Sequence, residues 1–354
     1  MLLGMGAPTW KGRWPLRRAD RQWARLSRPL AVALVAAACS AGTPTEIPTE
    51  TTRPVPTIPP VEVSDWVLVD TIGPPEVTFV TPNHLALDRA GNLYVTEFAG
   101  GRVLVFDREF SLVTEWAGPG LEVGQLEQPT GIGVRDDGAV IVGEAGGNRV
   151  QVFAPDGTTT AVWGKFGVDP GEFGSAMGIG IHEDLGRVYV ADHVNSRIHV
   201  YDFDGELLFM FPNDGDFTQI GSEPDQMWLP GGVDIAADGS VLVVDTGNRR
   251  VQRWSPDGEL IAVYGTGLIN DPQVISANED GSYWLAGPSD NRVGLFDADG
   301  QLLVELPPPD GGFDRPHGTE MRDDGVVFVA DTFNQVVHVY RLDATLAGAV
   351  RGDS

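Results

Sequence analysis

The chain holds a single cysteine, Cys39. One thiol can neither close an intrachain disulfide nor furnish a cysteine-rich zinc site, so neither device stabilises this fold. Basic side chains are scarce, 24 Lys and Arg against 50 Asp and Glu, and the N-terminus hides part of the imbalance. Residues 1–38 contain seven of the basic groups (Lys11, Arg13, Arg17, Arg18, Arg21, Arg25, Arg28) and one acid, Asp20. The remainder therefore carries 17 basic and 49 acidic side chains, a formal −32. Such a surface repels phosphates, which excludes nucleic acid as an expected partner and disfavours direct adsorption to anionic lipid. Divalent ions such as zinc or calcium, cationic ligands and basic proteins remain compatible with it. Long apolar runs are missing as well: residues 30–38 are nine in a row, where a bilayer span needs about 20. Gly-x-Ser-x-Gly elbows, phosphate loops and dinucleotide fingerprints are absent. Abundance lies instead in 45 Gly and 26 Pro, a turn-rich usage that suits many short strands.

The basic stretch followed by a short apolar core reads as a signal peptide over residues 1–38. Val35-Ala-Ala-Ala-Cys39-Ser40 resembles a bacterial lipobox, which implies that Cys39 is lipidated and that the remaining chain is extracytoplasmic and held to the membrane by that anchor alone. Simple cleavage and secretion is the alternative. Residues 40–60 contain six Pro and six Thr and almost no large apolar side chains, so residues 39–60 are expected to form an extended linker. Residues 343–354 read as a disordered tail.

Between these ends the sequence repeats. Thr81-Pro-Asn-His-Leu-Ala-Leu-Asp-Arg-Ala-Gly-Asn-Leu-Tyr-Val returns as Gln128-Pro-Thr-Gly-Ile-Gly-Val-Arg-Asp-Asp-Gly-Ala-Val-Ile-Val, and four more copies follow. The turn glycines Gly91, Gly138, Gly186, Gly239, Gly281 and Gly325 are 47, 48, 53, 42 and 44 residues apart. A period of this length, made of short Val/Ile/Leu runs and Asp-Gly turns, predicts the four-stranded blades of an all-β, six-bladed β-propeller over residues 61–342. Five repeats are followed by a candidate outer strand, and the sixth is not. The missing strand is available at the other end, in residues 66–71. The count predicts that this segment completes blade six and locks the ring, removing exposed edges. A monomer is expected.

The copies Val190-Ala-Asp-His-Val-Asn-Ser-Arg-Ile-His-Val-Tyr201 and Val244-Asp-Thr-Gly-Asn-Arg-Arg-Val-Gln-Arg-Trp254 resemble the NHL-repeat family. So does the linker Gly167-Val-Asp-Pro-Gly-Glu-Phe-Gly174. The resemblance implies a propeller and leaves activity open, since members include binding, sensing and enzymatic proteins. The recurring Asp192/Asn195/Arg197 and Asp245/Asn248/Arg250 sets occur once per blade and are read as turn braces, with each Arg packing along a neighbouring strand.

Function is expected where the blades differ, at the central channel. The variable inner-strand position holds Asn83, Thr130, Met177, Gly231, Gln273 and His317. His84 follows Asn83, and three residues beyond the variable position lie Ala86, Gly133, Gly180, Asp234, Ser276 and Glu320. Blades six and one adjoin, so His84, His317 and Glu320 are a candidate set for a divalent metal. A distant resemblance to amidating-lyase propellers, carried by Pro316-His317-Gly318, implies zinc on three such histidines. There His84 stands one place late, Met177 replaces the third, and His193 occupies an Arg position. The rim candidates are Trp228 and Asp225 in the long insertion 212–229, with Asp234 and His193. The sequence thus predicts a protein- or ligand-binding propeller, with a metal-dependent lyase or hydrolase as the alternative.

Overall fold

A computed structural model describes residues 66–212, 220–267 and 269–342. The signal peptide, Cys39, the linker, the tail and residues 213–219 of the insertion lie outside the described residues. Six antiparallel four-stranded sheets form the ring. Their inner strands are Pro82–Leu87, Pro129–Val134, Ala176–His182, Pro230–Ile235, Val274–Ala277 and Pro316–Met321. Helix is confined, among the described residues, to the three-residue 3₁₀ turns Glu183–Leu185 and Thr246–Asn248.

Ring closure is as the repeat count predicts. Trp66–Ile72 pairs antiparallel with Val336–Leu342 as the outer strand of blade six. A register shift between Leu68 and Asp70 bends this strand, and its ends are pinned by Trp66, edge-on to Trp284 at 5.4 Å, and by buried Ile72. Between them, the Thr71 hydroxyl meets His338 Nδ1 at 3.2 Å, while His338 Nε2 meets Asp331 at 3.1 Å. A carboxylate oxygen accepts, so Nε2 donates to Asp331, and Nδ1 on the other side of the ring meets the Thr71 hydroxyl. Thr71→Val leaves that nitrogen unpaired and is expected to cost about 1 kcal/mol in chemical denaturation, with an unchanged m-value.

The core is not one cluster but six, each filling the seam between adjacent blades. Second strands such as Val140–Glu144, Val241–Asp245 and Val326–Asp331 are buried on both faces, which is why their Val, Ile and Leu run almost without alternation. Aromatic rings at outer-strand ends pack on the next blade: Trp116 on Phe153 at 4.6 Å, Trp163 on Tyr201 at 5.3 Å, Phe211 on Trp254 at 5.1 Å. The hairpin glycine beneath Trp163, Gly205, sits at φ 89°, and a Cβ there would run into the indole. Both facts demand glycine. Much of the acidity also has a local use, since Asp88, Asp107, Asp202 and Asp297 each accept two amides of their own turn.

Strand alternation gives the ring two unlike faces. Hairpins between first and second and between third and fourth strands lie on one, the turn face. Blade-to-blade connectors and the turns between second and third strands lie on the other, the connector face, where every inner strand begins. Because Trp66 pairs with Leu342, at the end of a third strand, the closing strand starts from the turn face.

The repeated Asp, Asn and Arg are braces, with one correction to the expected geometry. The arginines do not lie along a neighbouring strand but cross to the preceding connector. Arg197 is anchored on Asp192 at 3.2 Å and donates to the Asp169 and Glu172 carbonyls at 3.0 and 2.9 Å. Arg250 is anchored on Asp245 and donates to Ser222, Glu223 and Gln226. Arg149, on Glu144, holds Leu121, Glu122 and Gln125 in the same way. Blade six has Val336 in place of the arginine, and His338 serves Asp331 instead.

Candidate functional site in the central channel

The inner strands enclose a cavity of about 180 Å³ whose lining includes His84, Asp234, Thr319 and Glu320 among glycines and branched aliphatics. Its polar side chains fall into two tiers. At the connector-face mouth, His84 is buried, and its backbone N–H donates to Thr96 Oγ1 at 3.0 Å. Burial, reinforced by nearby His317, lowers its pKa to about 3, so the ring is neutral at any physiological pH. His317 Nδ1 lies 3.0 Å from both the Arg315 carbonyl and Thr332 Oγ1. A carbonyl only accepts, so Nδ1 carries the proton and Nε2 keeps its lone pair. Burial again lowers this pKa.

The second tier lies deeper, two residues beyond His84 and three beyond His317, past the register shifts that follow Pro82 and Pro316. Asp234 is fixed by the Ile235 and Ala277 amides, both at 2.8 Å. Ser276 donates to Glu320 Oε2 at 3.2 Å. Both carboxyls are half-buried, reached by channel solvent but enclosed by the ring. Burial raises Asp234 to about 6. It raises Glu320 well above the usual carboxyl range, with the Asp234 charge adding to the effect. Blades four to six thus present Asp, Ser and Glu at this depth, and blades one to three present Ala86, Gly133 and Gly180. One wall is polar and the facing wall is small and apolar.

The expected metal set is not assembled. His84 and His317 come together, but Glu320 lies a tier below and pairs with Asp234. Among the described residues no three His, Cys, Asp or Glu side chains are grouped to hold a metal ion. Two imidazoles alone fall short of a zinc shell. Asp234, which the strand alignment puts in the channel and which is also a rim candidate by sequence, lines the channel. His193 stands at the mouth, where its Nδ1–H donates to the Pro230 carbonyl of the next blade at 3.0 Å. Thr96, Thr130, Thr246 and Thr332 clasp neighbouring inner strands by the same device. Trp228 and Asp225 are on the connector face, exposed as expected.

No protein-family model matches the chain. Strictosidine synthase of Catharanthus roseus is 28% identical over 165 residues, which are 42% of this chain and 45% of the synthase, so the match spans less than half of that protein. Solved structures align over most of the chain at low identity. A streptogramin B lyase has a TM-score of 0.56 at 17% identity, covering 79% of this chain and 98% of its own. A gluconolactonase from Xanthomonas campestris has 0.58 at 16%, covering 75% and 87%. A structure of the nidogen/laminin complex gives 0.53 at 17%, covering 71% and 86%. At these identities the likeness concerns the fold alone. Six four-stranded sheets, a ring closed by an N-terminal outer strand, and neighbours that span nearly their full lengths identify this chain as a six-bladed β-propeller.

Proposed function

We propose that this propeller, tethered outside the cytoplasm by a lipidated Cys39, binds a small organic ligand in its central channel. The observation that carries the reading is the break in six-fold repetition: Asp234, Ser276 and Glu320 gather on one side of the channel, opposite small side chains, below two neutral histidines. Structural polar groups such as the Asp/Asn/Arg braces recur from blade to blade; these do not. A cavity with few convergent polar groups and displaced titrations is the usual form of a ligand site. The two carboxyls and the negative domain favour a ligand bearing hydrogen-bond donors or a positive charge next to an apolar body.

The displaced titrations support a second reading, proton-transfer catalysis of the lyase or hydrolase kind. Glu320, kept protonated, is placed to act as an acid, and Asp234 or the lone pair of His317 Nε2 as a base. A fragment screen by saturation-transfer NMR on the full chain tests both. Amine-bearing fragments are expected to bind and to weaken at least about tenfold in Glu320→Gln. If donor-bearing and donor-free fragments behave alike in wild type and variant, the channel is not a ligand site. Turnover that falls in the variant with little change in KM supports the catalytic reading.

A further inference from the structure

The connector face carries a second feature that the channel does not use. Three consecutive connectors, leading into blades two, three and four, share one construction. Each closes on itself through a parallel bridge, Pro119 with Leu126, Phe166 with Phe173 and Ile220 with Met227. In each, a side chain three residues on accepts the turn amide: Gln125 from Glu122, Glu172 from Asp169, Gln226 from Glu223. Each is held from behind by the braced arginine of the following blade. These loops are thus rigid before any partner arrives, and rigidity lowers the entropic cost of association.

What they display is apolar. Leu121 and Val123 are 63% and 67% exposed, Phe166 and Val168 75% and 51%, Trp228 48%. The Trp228 backbone is fixed at both ends, its N–H on Asp245 at 2.7 Å and its carbonyl accepting from Gly247 at 2.9 Å. Large apolar side chains on three adjacent braced loops form a surface of the kind that marks an interaction site. Between them stand exposed carboxylates, Glu122, Asp169, Glu223 and Asp225. The cations close by are spent: Lys165 reaches Glu172 at 3.1 Å, and the three arginines face the loop carbonyls.

We propose that this arc, over blades one to four, docks a cationic amphipathic segment of another protein, its apolar side chains on Phe166, Trp228 and their neighbours and its Lys or Arg groups on the interleaved carboxylates. Charge complementarity decides the partner, because an anionic lipid surface or an acidic protein would be repelled by the same carboxylates.

The test is fluorescence anisotropy with a short labelled peptide alternating Lys and Leu, beside its Glu/Leu counterpart. The Lys/Leu peptide is expected to bind, with weakening at moderate salt, and the Glu/Leu peptide not to bind. Affinity should fall about tenfold or more in Phe166→Ser/Trp228→Ser and in Glu223→Lys/Asp225→Lys. Both variants change exposed side chains, so melting temperatures should hold. Glu320→Gln should bind the peptide as wild type does, which separates this proposal from the channel site. Equal binding of the two peptides, indifference to both double variants, binding only to anionic vesicles, or a self-association abolished by Phe166→Ser/Trp228→Ser would each overturn it.

Discussion

A chain that begins at Gly73 is expected to aggregate or to pair with further copies of itself, whereas one that begins at Ser64 folds cooperatively. The strand between those starts is seven residues long, yet it supplies the fourth strand of blade six and removes the free edge of Val336–Leu342. Buried Trp66 and Ile72 contribute about 2–3 kcal/mol each by area. The ladder adds hydrogen bonds worth about 1 kcal/mol apiece. Against a typical total of roughly 5–15 kcal/mol, these losses remove most of the stability. They also leave Trp284, Val337 and Val339 uncovered beside an unpaired strand, the combination that recruits other chains. Light scattering after size exclusion reads the outcome. A synthetic peptide of residues 64–73 added during refolding is expected to restore the soluble ring. Recovery of the shortened chain as a stable, cooperatively melting monomer would show that closure does not depend on this strand.

The second large effect concerns the channel carboxyls. Asp234 holds its proton to about pH 6 when folded, against 3.8 ordinarily, so from pH 4 to 6 the folded state binds more protons than the unfolded state. Stability from this group is therefore full below that window and is lost as pH rises through it. Glu320 acts in the same direction and over a higher range, because the Asp234 charge already opposes its ionisation. As pH rises, the folded ring must either ionise a second carboxyl in a confined space or hold its proton against the solvent, and both cost stability. Glu320→Gln relieves this while keeping an oxygen for the Ser276 hydroxyl. It is expected to leave stability nearly unchanged at pH 5 and to raise it by about 1–3 kcal/mol at pH 8. Urea denaturation at the two pH values measures the difference. A variant equally or less stable at pH 8 would place Glu320 in ordinary solvent.

The two predictions draw on unequal amounts of what the sequence makes legible. The ring is written plainly: glycine turns at a near-constant period give the blades, and a sixth repeat without an outer strand points to residues 66–71 as its completion. The structure extends that strand by one residue, to Ile72. Aligned inner strands mark the channel residues, since each strand begins at the same face and equal positions have similar depth. Depth was the part left unread. His317 and Glu320 look adjacent in sequence, but three residues of strand carry them to different tiers, and the carboxylate beside Glu320 comes from blade four. The role of His193 was hidden for another reason. Its partner is a backbone carbonyl of the following blade, and carbonyls leave no mark in a sequence. The arginine braces were visible as a repeat, but their target was not, because it too is backbone.

The central claim is that one side of the channel is a deliberately polar, proton-retaining surface. Carboxyl carbon NMR of the full chain, with Asp234 and Glu320 assigned by Asp234→Asn and Glu320→Gln, tests it most directly. Asp234 is expected to titrate near pH 6 and Glu320 later still, each midpoint shifting when the other is replaced. Two independent midpoints near pH 4 would contradict the account, reducing the channel to a wet axis with no site in it.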